Sequence, residues 1–195
     1  MTNRSLAAIV ELTDSEPLEH CQVSAFRTPL GWFGLLGSED RLLGVRMGHA
    51  SRDDVRQAFI ANFDLTANCV QAIDWAPATR AKLEAFAAGE PVSFEDVEIT
   101  YRRTLPPFRR KVIVATRRIA YGQTLSYQEL AGIAGSPRAA RAVGNSMATN
   151  VFPIIVPCHR VLGSGGHLGG FTAPGGLTLK ERLLALEAAD SAEEP

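Results

Sequence analysis

The sequence predicts an α/β unit followed by a mostly α unit that carries a helix-turn-helix. Three observations point there. Residues 31–45 read as a β-hairpin that leads into helical periods, and residues 126–147 read as two short helices around a glycine-containing turn. The charge also divides: residues 1–100 hold 8 Lys+Arg against 15 Asp+Glu, net −7, whereas residues 101–195 hold 12 against 6, net +6.

In the first half, Gly31 to Leu36, the turn Gly37-Ser-Glu-Asp40 and Arg41 to Val45 form the hairpin. Asp53 to Phe63, with Val55, Ala58 and Phe59 apolar, and Thr79 to Ala88, with Leu83 and Phe86, carry the helical period, and Gly89-Glu-Pro91 ends the second of them. A strand is expected over Val97 to Tyr101. Thr104-Leu-Pro-Pro107 then stiffens the chain, which sets the boundary between residues 1–103 and residues 104–195.

In the second half, Phe108 to Ile119 reads as a basic helix. Ser126-Tyr-Gln-Glu129 is a capping box that starts a helix at Tyr127 and runs to about Gly135. Ser136 is expected to cap the next helix with Pro137 at its first position. On that helix Ala140, Val143 and Met147 share an inward face, while Arg138, Arg141 and Asn145 share another that meets solvent or DNA. Pro153-Ile-Ile-Val156 reads as a short buried strand, and Thr178-Leu-Lys-Glu181 as a second capping box opening a final helix with Leu183, Leu184 and Leu186 inward.

The chain has 195 residues, 46% hydrophobic and 21% charged, which fits one domain or two small ones and excludes a disordered or fibrous chain. No run reaches the roughly 18 apolar residues that cross a bilayer, and Met1 to Ala8 lacks a charged segment followed by a long apolar one. A cytoplasmic protein with no membrane partner is expected. Three widely spaced cysteines, Cys21, Cys69 and Cys158, argue against a disulfide framework and a Cys-x-x-Cys metal site. From Tyr101 to Lys180 there are 11 basic residues and one acid, Glu129. Such a stretch attracts nucleic acid through counterion release, unless it only answers the acidic half of the same fold.

The chemistry concentrates after the apolar run, at Pro157-Cys-His-Arg-Val161. A cysteine becomes a nucleophile when positive charge or a base lowers its pKa, and His159 and Arg160 are the nearby candidates; the other reading is an inert buried thiol. In an extended strand neighbouring side chains point to opposite faces, so His159 reaches Cys158 only if the chain turns here or water bridges them. Glu187, on the final helix, can orient the imidazole and complete a Cys-His-Glu relay, or is a solvated acid. Seven glycines from Gly163 to Gly176 form a loop that can approach a flat ligand closely, without the spacing of a phosphate cradle.

Together these segments resemble the O6-alkylguanine-DNA alkyltransferases, also called methylated-DNA–protein-cysteine methyltransferases. The resemblance rests on Tyr121-Gly-Gln-Thr-Leu-Ser-Tyr127, Ala139-Ala-Arg-Ala-Val-Gly144, Asn150, Ile154-Ile-Val-Pro-Cys-His-Arg-Val161, and Gly175-Gly176 leading to Lys180 and Glu187. Thr28-Pro-Leu-Gly-Trp32 is similar to the family's N-terminal ribonuclease-H-like domain. The resemblance implies direct, single-turnover repair. An alkyl group on O6 of guanine, and O4 of thymine, in double-stranded DNA passes to Cys158 after base flipping, in a monomer with no metal or organic cofactor.

By the same resemblance His159 is the base acting through water, Glu187 holds its tautomer, and Asn150 ties the recognition helix to the active-site turn. Arg141 fills the gap left by the flipped base, Tyr127 presses on the 3′ phosphate, and Arg138, Asn145 and Arg160 complete the DNA contacts. Met147, Val161 and Phe171 line the pocket, with main-chain carbonyls of Cys158 and Val161 reading the guanine amino group. The relay leads to a Cys158 thiol titrating below its ordinary value of about 8.5. Phe171 stands where many relatives have tyrosine, Ala148 and Val151 also depart from the pattern, and Cys21, His20, His49 and Cys69 do not reproduce the zinc set of some members. The rival class is a non-catalytic alkylated-DNA binding protein or regulator, and relatives of that kind lack this cysteine. A Cys-His hydrolase is the third reading, and it needs an oxyanion hole and repeated turnover.

Overall fold

A computed structural model describes residues 8–12, 18 and 20–190. The chain divides into two units, Met1–Ala88 with Ser93–Thr104, and Gly89–Val92 with the chain from Leu105 onward.

The first unit is built on a four-stranded sheet. β2 (Cys21–Thr28), β3 (Gly31–Ser38) and β4 (Arg41–His49) are antiparallel, and β5 (Val70–Ala72) adds parallel to β2, giving the order β4-β3-β2-β5. β1 (Ile9–Glu11) pairs in parallel with β6 (Ile99–Tyr101). The helices are α1 (Arg52–Phe63) and α2 (Pro77–Ala87). Ser51 caps α1 by accepting from the Asp54 N–H at 3.1 Å. A Cβ at Gly34 would stand 2.3 Å from Val55 Cγ1, so the close seat of α1 on the sheet requires glycine there.

The second unit is mostly helical: α3 (Pro107–Arg117), α4 (Tyr127–Ile133), α5 (Ala140–Ala148) and α6 (Gly176–Asp190), with two short strands, β7 (Leu125–Ser126) and β8 (Val161–Leu162). The strands pair in parallel, Leu125 with Val161 and Ser126 with Leu162, which fastens the start of α4 beside the segment that follows Cys158. The core gathers Val112, Ile119, Leu130, Val143, Met147, Cys158 and Val161, with Tyr127 and Phe171 packed against it. The Ser126–Glu129 box is present in both directions, at 3.1 and 2.7 Å.

Three expectations are corrected. Ser136 does not cap α5: its N–H bonds Ala131 O at 2.9 Å while Gly135, at φ +85°, bonds Gly132 O, the paired ending that closes α4. Pro137 then occupies the second place of a turn closed by the Ala139 N–H on Ser136 O at 2.9 Å, so α5 begins only at Ala140 and Arg138 lies outside it. Pro153 to Val156 is no strand but a buried turn: Val156 N–H returns to Phe152 O at 2.8 Å, and Ile154 has φ +71°. Finally, α6 starts at Gly176, which leaves Thr178 inside the helix rather than at its cap.

Candidate active site

Cys158 is delivered by two successive reversals of the chain. Pro157, at φ −77° and ψ +68°, centres an inverse γ-turn in which Cys158 N–H donates to Val156 O at 2.7 Å, and Cys158–Arg160 forms one turn of 3-10 helix. A buried turn must have its main-chain groups satisfied, and Asn150 does much of this. Its Nδ2 donates to Val156 O at 2.8 Å and its Oδ1 accepts from Phe152 N–H at 3.0 Å. The same Nδ2 donates to Cys158 Sγ at 3.1 Å, a contact that favours the thiolate.

The imidazole of His159 is wholly buried, and its Nε2 lies 2.7 Å from Glu187 Oε1. With Nε2 carrying the proton toward the carboxylate, Nδ1 is the ring nitrogen that can accept one. Glu187 is 1% exposed and accepts from three further groups: Arg160 Nε at 2.9 Å, Arg160 Nη2 at 2.9 Å and the Gly122 N–H at 3.0 Å. Burial alone would raise this carboxyl, but His159 and Arg160 outweigh it and hold the group at about 2. Burial pushes His159 below its ordinary value, against the pull of Glu187.

Two expectations change here. Arg160, expected among the DNA contacts, is turned inward: it is 6% exposed, its Nη1 donates to Ile119 O at 2.7 Å, and its guanidinium sits 5.7 Å over the Tyr121 ring while bonding Glu187. The Cys158 thiol does not titrate below its ordinary value. Burial pushes it up, outweighing the opposing Asn150 amide, the Lys180 charge and the backbone N–H groups of Cys158 and His159. Burial thus disfavours the charged form of both the Cys158 thiol and the His159 imidazole.

Asn150 thus meets Cys158, and Glu187 meets His159, while Met147 and Val161 belong to the core cluster that holds the thiol and Tyr127 and Phe171 pack against it. Tyr127, Arg141 and Asn145 line a groove of about 1030 Å³ with Ser126, Leu162 and Gly165, and Arg138 is exposed in the turn that precedes α5. A Cβ at Gly169 would meet the Tyr127 hydroxyl at 2.7 Å, so the glycine loop is shaped around this tyrosine. The role of Lys180 has no counterpart in the sequence reading. The side chain is buried, and its Nζ donates to Val161 O at 2.7 Å and to Leu168 O. Its signal was available in its spacing from Glu187, seven residues on along the buried side of α6 with Leu179 and Leu183. Val161 O, expected to read a base amino group, already accepts this bond. Among the described residues no three His, Cys, Asp or Glu side chains cluster to hold a metal ion, and no helix is long and apolar enough to cross a membrane.

Fold and site together define a mixed α/β protein with a buried thiol, a carboxylate-held imidazole and a groove floored by a short helix. Residues 107–189 match the family model for the DNA-binding domain of 6-O-methylguanine DNA methyltransferase. The chain is 38% identical over 160 residues to the methylated-DNA–protein-cysteine methyltransferase of Mycolicibacterium paratuberculosis, covering 82% of this chain and 88% of that protein. It is 35% identical over 186 residues to the Cricetulus griseus protein of the same name, covering 87% and 84%. Among solved structures, Mycobacterium tuberculosis OGT in complex with DNA superposes with a TM-score of 0.69 at 35% identity, over 86% of this chain and 93% of that one. The chain belongs to the methylated-DNA–protein-cysteine methyltransferase family.

Proposed function

We propose that this protein repairs double-stranded DNA by moving an alkyl group, methyl above all, from O6 of guanine, and from O4 of thymine, onto Cys158, once per molecule. The observations that carry the reading are two contacts, Asn150 Nδ2 to the buried Cys158 Sγ at 3.1 Å and the buried His159 Nε2 to Glu187 Oε1 at 2.7 Å, together with a groove lined by Arg141 and Asn145. As the base arrives, the thiol proton passes through water to His159, whose imidazolium Glu187 stabilises. The sulfur attacks the alkyl carbon, the S–C bond forms as the O–C bond breaks, and the purine keeps the electron pair and takes the proton. Soft sulfur suits this displacement, which needs no metal or organic cofactor. The thioether is not hydrolysed, so the reaction ends there.

The alkyl carbon lies inside the duplex, so the base has to be flipped out, with Arg141 filling the gap and Tyr127 pressing on the backbone. We read α4, the turn and α5 as the helix-turn-helix, with Arg138, Arg141 and Asn145 toward DNA, and residues 1–103 as the ribonuclease-H-like domain ahead of the acceptor domain, 104–195. The exposed positions of those three side chains and the sheet of the first unit support this. Met147, Val161 and Phe171 line the alkyl pocket. The chain acts as a monomer. The test is Cys158→Ala with a duplex bearing one O6-methylguanine: transfer is lost while the gel-shift affinity stays within about twofold. Residual transfer, or an equal loss of binding, overturns the division of labour between thiol and helix.

A further inference from the structure

Just beyond α3, the corner from Ile119 to Gly122 cradles the buried Arg160–Glu187 pair. The Ile119 carbonyl accepts from Arg160 Nη1 at 2.7 Å, the Tyr121 ring lies 5.7 Å beneath the Arg160 guanidinium, and the Gly122 N–H donates to Glu187 Oε2 at 3.0 Å. One corner thus supplies an acceptor, an aromatic face and a donor. The Tyr121 hydroxyl anchors the far end of the ring, 3.1 Å from Gly89 O and 3.4 Å from the carbonyl of Leu186, the residue before Glu187. Glu187 Oε1 is shared, accepting from His159 Nε2 at 2.7 Å and from Arg160 Nη2 at 2.9 Å. A guanidinium that tilts therefore draws the carboxylate off the imidazole. The bonds to Glu187 and Ile119 O run along the edges of the guanidinium and fix it in its own plane, whereas its faces can be held only by stacking. A ring within about 6 Å attracts a guanidinium through its negative face, and Tyr121 supplies that restraint.

We propose that Tyr121 is a positioning residue for the transfer, its ring holding Arg160 flat so that Glu187 meets His159 Nε2 and leaves Nδ1 to take the thiol proton; this rests on the reading of Cys158 as alkyl acceptor and His159 as its base. Around the imidazole stand Glu187 and Lys180 of α6, with Cys158 and Arg160 on its own turn. The Tyr127 phenol of α4 faces the thiol. Tyr121 acts on this set through Arg160, and no proton passes through its hydroxyl: the one leaving sulfur goes to His159 and then to the purine. Without the ring, Arg160 and Glu187 stay paired but swing together, and the imidazolium loses its fixed partner.

The test follows the ring nitrogens of His159 by NMR in the full-length protein, beside the pH–rate profile with free O6-benzylguanine, which excludes effects on DNA. In the parent one nitrogen carries a proton and the other does not, so they give two well-separated signals. Tyr121→Leu removes the aromatic face: the tautomers mix, the signals move toward each other, the rate at neutral pH falls about fivefold and the midpoint rises by about half a pH unit. Tyr121→Phe retains the ring and keeps the parent signals and midpoint. Slower transfer by Tyr121→Leu with signals and midpoint unmoved reduces Tyr121 to packing and overturns the proposal. Should Tyr121→Leu fail to fold, Tyr121→pentafluorophenylalanine decides, because it keeps the shape of the ring and reverses the charge of its face. Parent signals and midpoint in that variant overturn the proposal. Transfer that survives Cys158→Ala overturns the underlying reading instead, whatever Tyr121 does.

Discussion

Replacing Glu187 with Gln keeps the shape of the side chain and removes its charge, which separates orientation of His159 from packing of α6. The carboxyl is held at about 2, against an ordinary 4.5, by His159 and Arg160. That difference corresponds to about 3 kcal/mol of stabilisation, in line with the 3–5 kcal/mol typical of breaking a buried ion pair from one side. For a chain of this size the loss lowers the melting temperature by about 6–12 °C. The sign of the chemical effect follows from the same contact. An imidazolium without its carboxylate is less stable, so His159 accepts the thiol proton less readily, the pH of half-maximal transfer rises and the rate near neutrality falls. The assay pairs thermal unfolding with a pH–rate profile on free O6-benzylguanine. A melting temperature within about 2 °C of the parent together with an unchanged profile refutes the relay of Cys158, His159 and Glu187.

The depressed carboxyl of Glu187 also sets an acid limit: its contribution is complete above about pH 5 and is lost as pH falls from about 4.5 through about 2, so denaturant midpoints should fall steeply over that window in the parent and less so in Glu187→Gln. Asn150→Ala removes a donor to Sγ and two bonds that satisfy the buried turn, and should both destabilise the fold by about 2–3 kcal/mol and slow transfer to free base; a fully active variant excludes the thiol contact from the chemistry. Arg141→Ala should slow repair of duplex DNA far more than reaction with free O6-benzylguanine, and equal slowing of both would assign Arg141 to the chemistry.

Local signals with a direct physical mechanism were legible in the sequence. The Ser126–Glu129 capping box, the 31–45 hairpin and the helical period after Asp53 all have their counterparts in the structure, because each is decided by neighbouring residues. The segment that mattered most was not. Pro153 to Val156 is as apolar as a strand, yet its course is set by Asn150, which supplies the main-chain partners that a sheet would otherwise provide. Ser136 and Pro137 make a plausible helix start, but the Ser136 N–H is consumed in closing α4. Arg160 reads in the sequence as a neighbour of the thiol and a DNA contact. Only the packing of α6, which brings Glu187 to it, turns it inward. β2 carries no turn or cap of its own, and it emerges from pairing with β3 and β5 on either side.

The most direct test is the intact mass of the full-length protein after incubation with excess duplex containing O6-methylguanine, followed by peptide mapping. The expected result is a gain of one methyl group per molecule, saturating at one equivalent and confined to the peptide holding Cys158, with guanine restored in the DNA in equal amount. Guanine formed beyond one equivalent, or a methyl group on any peptide other than that of Cys158, contradicts it.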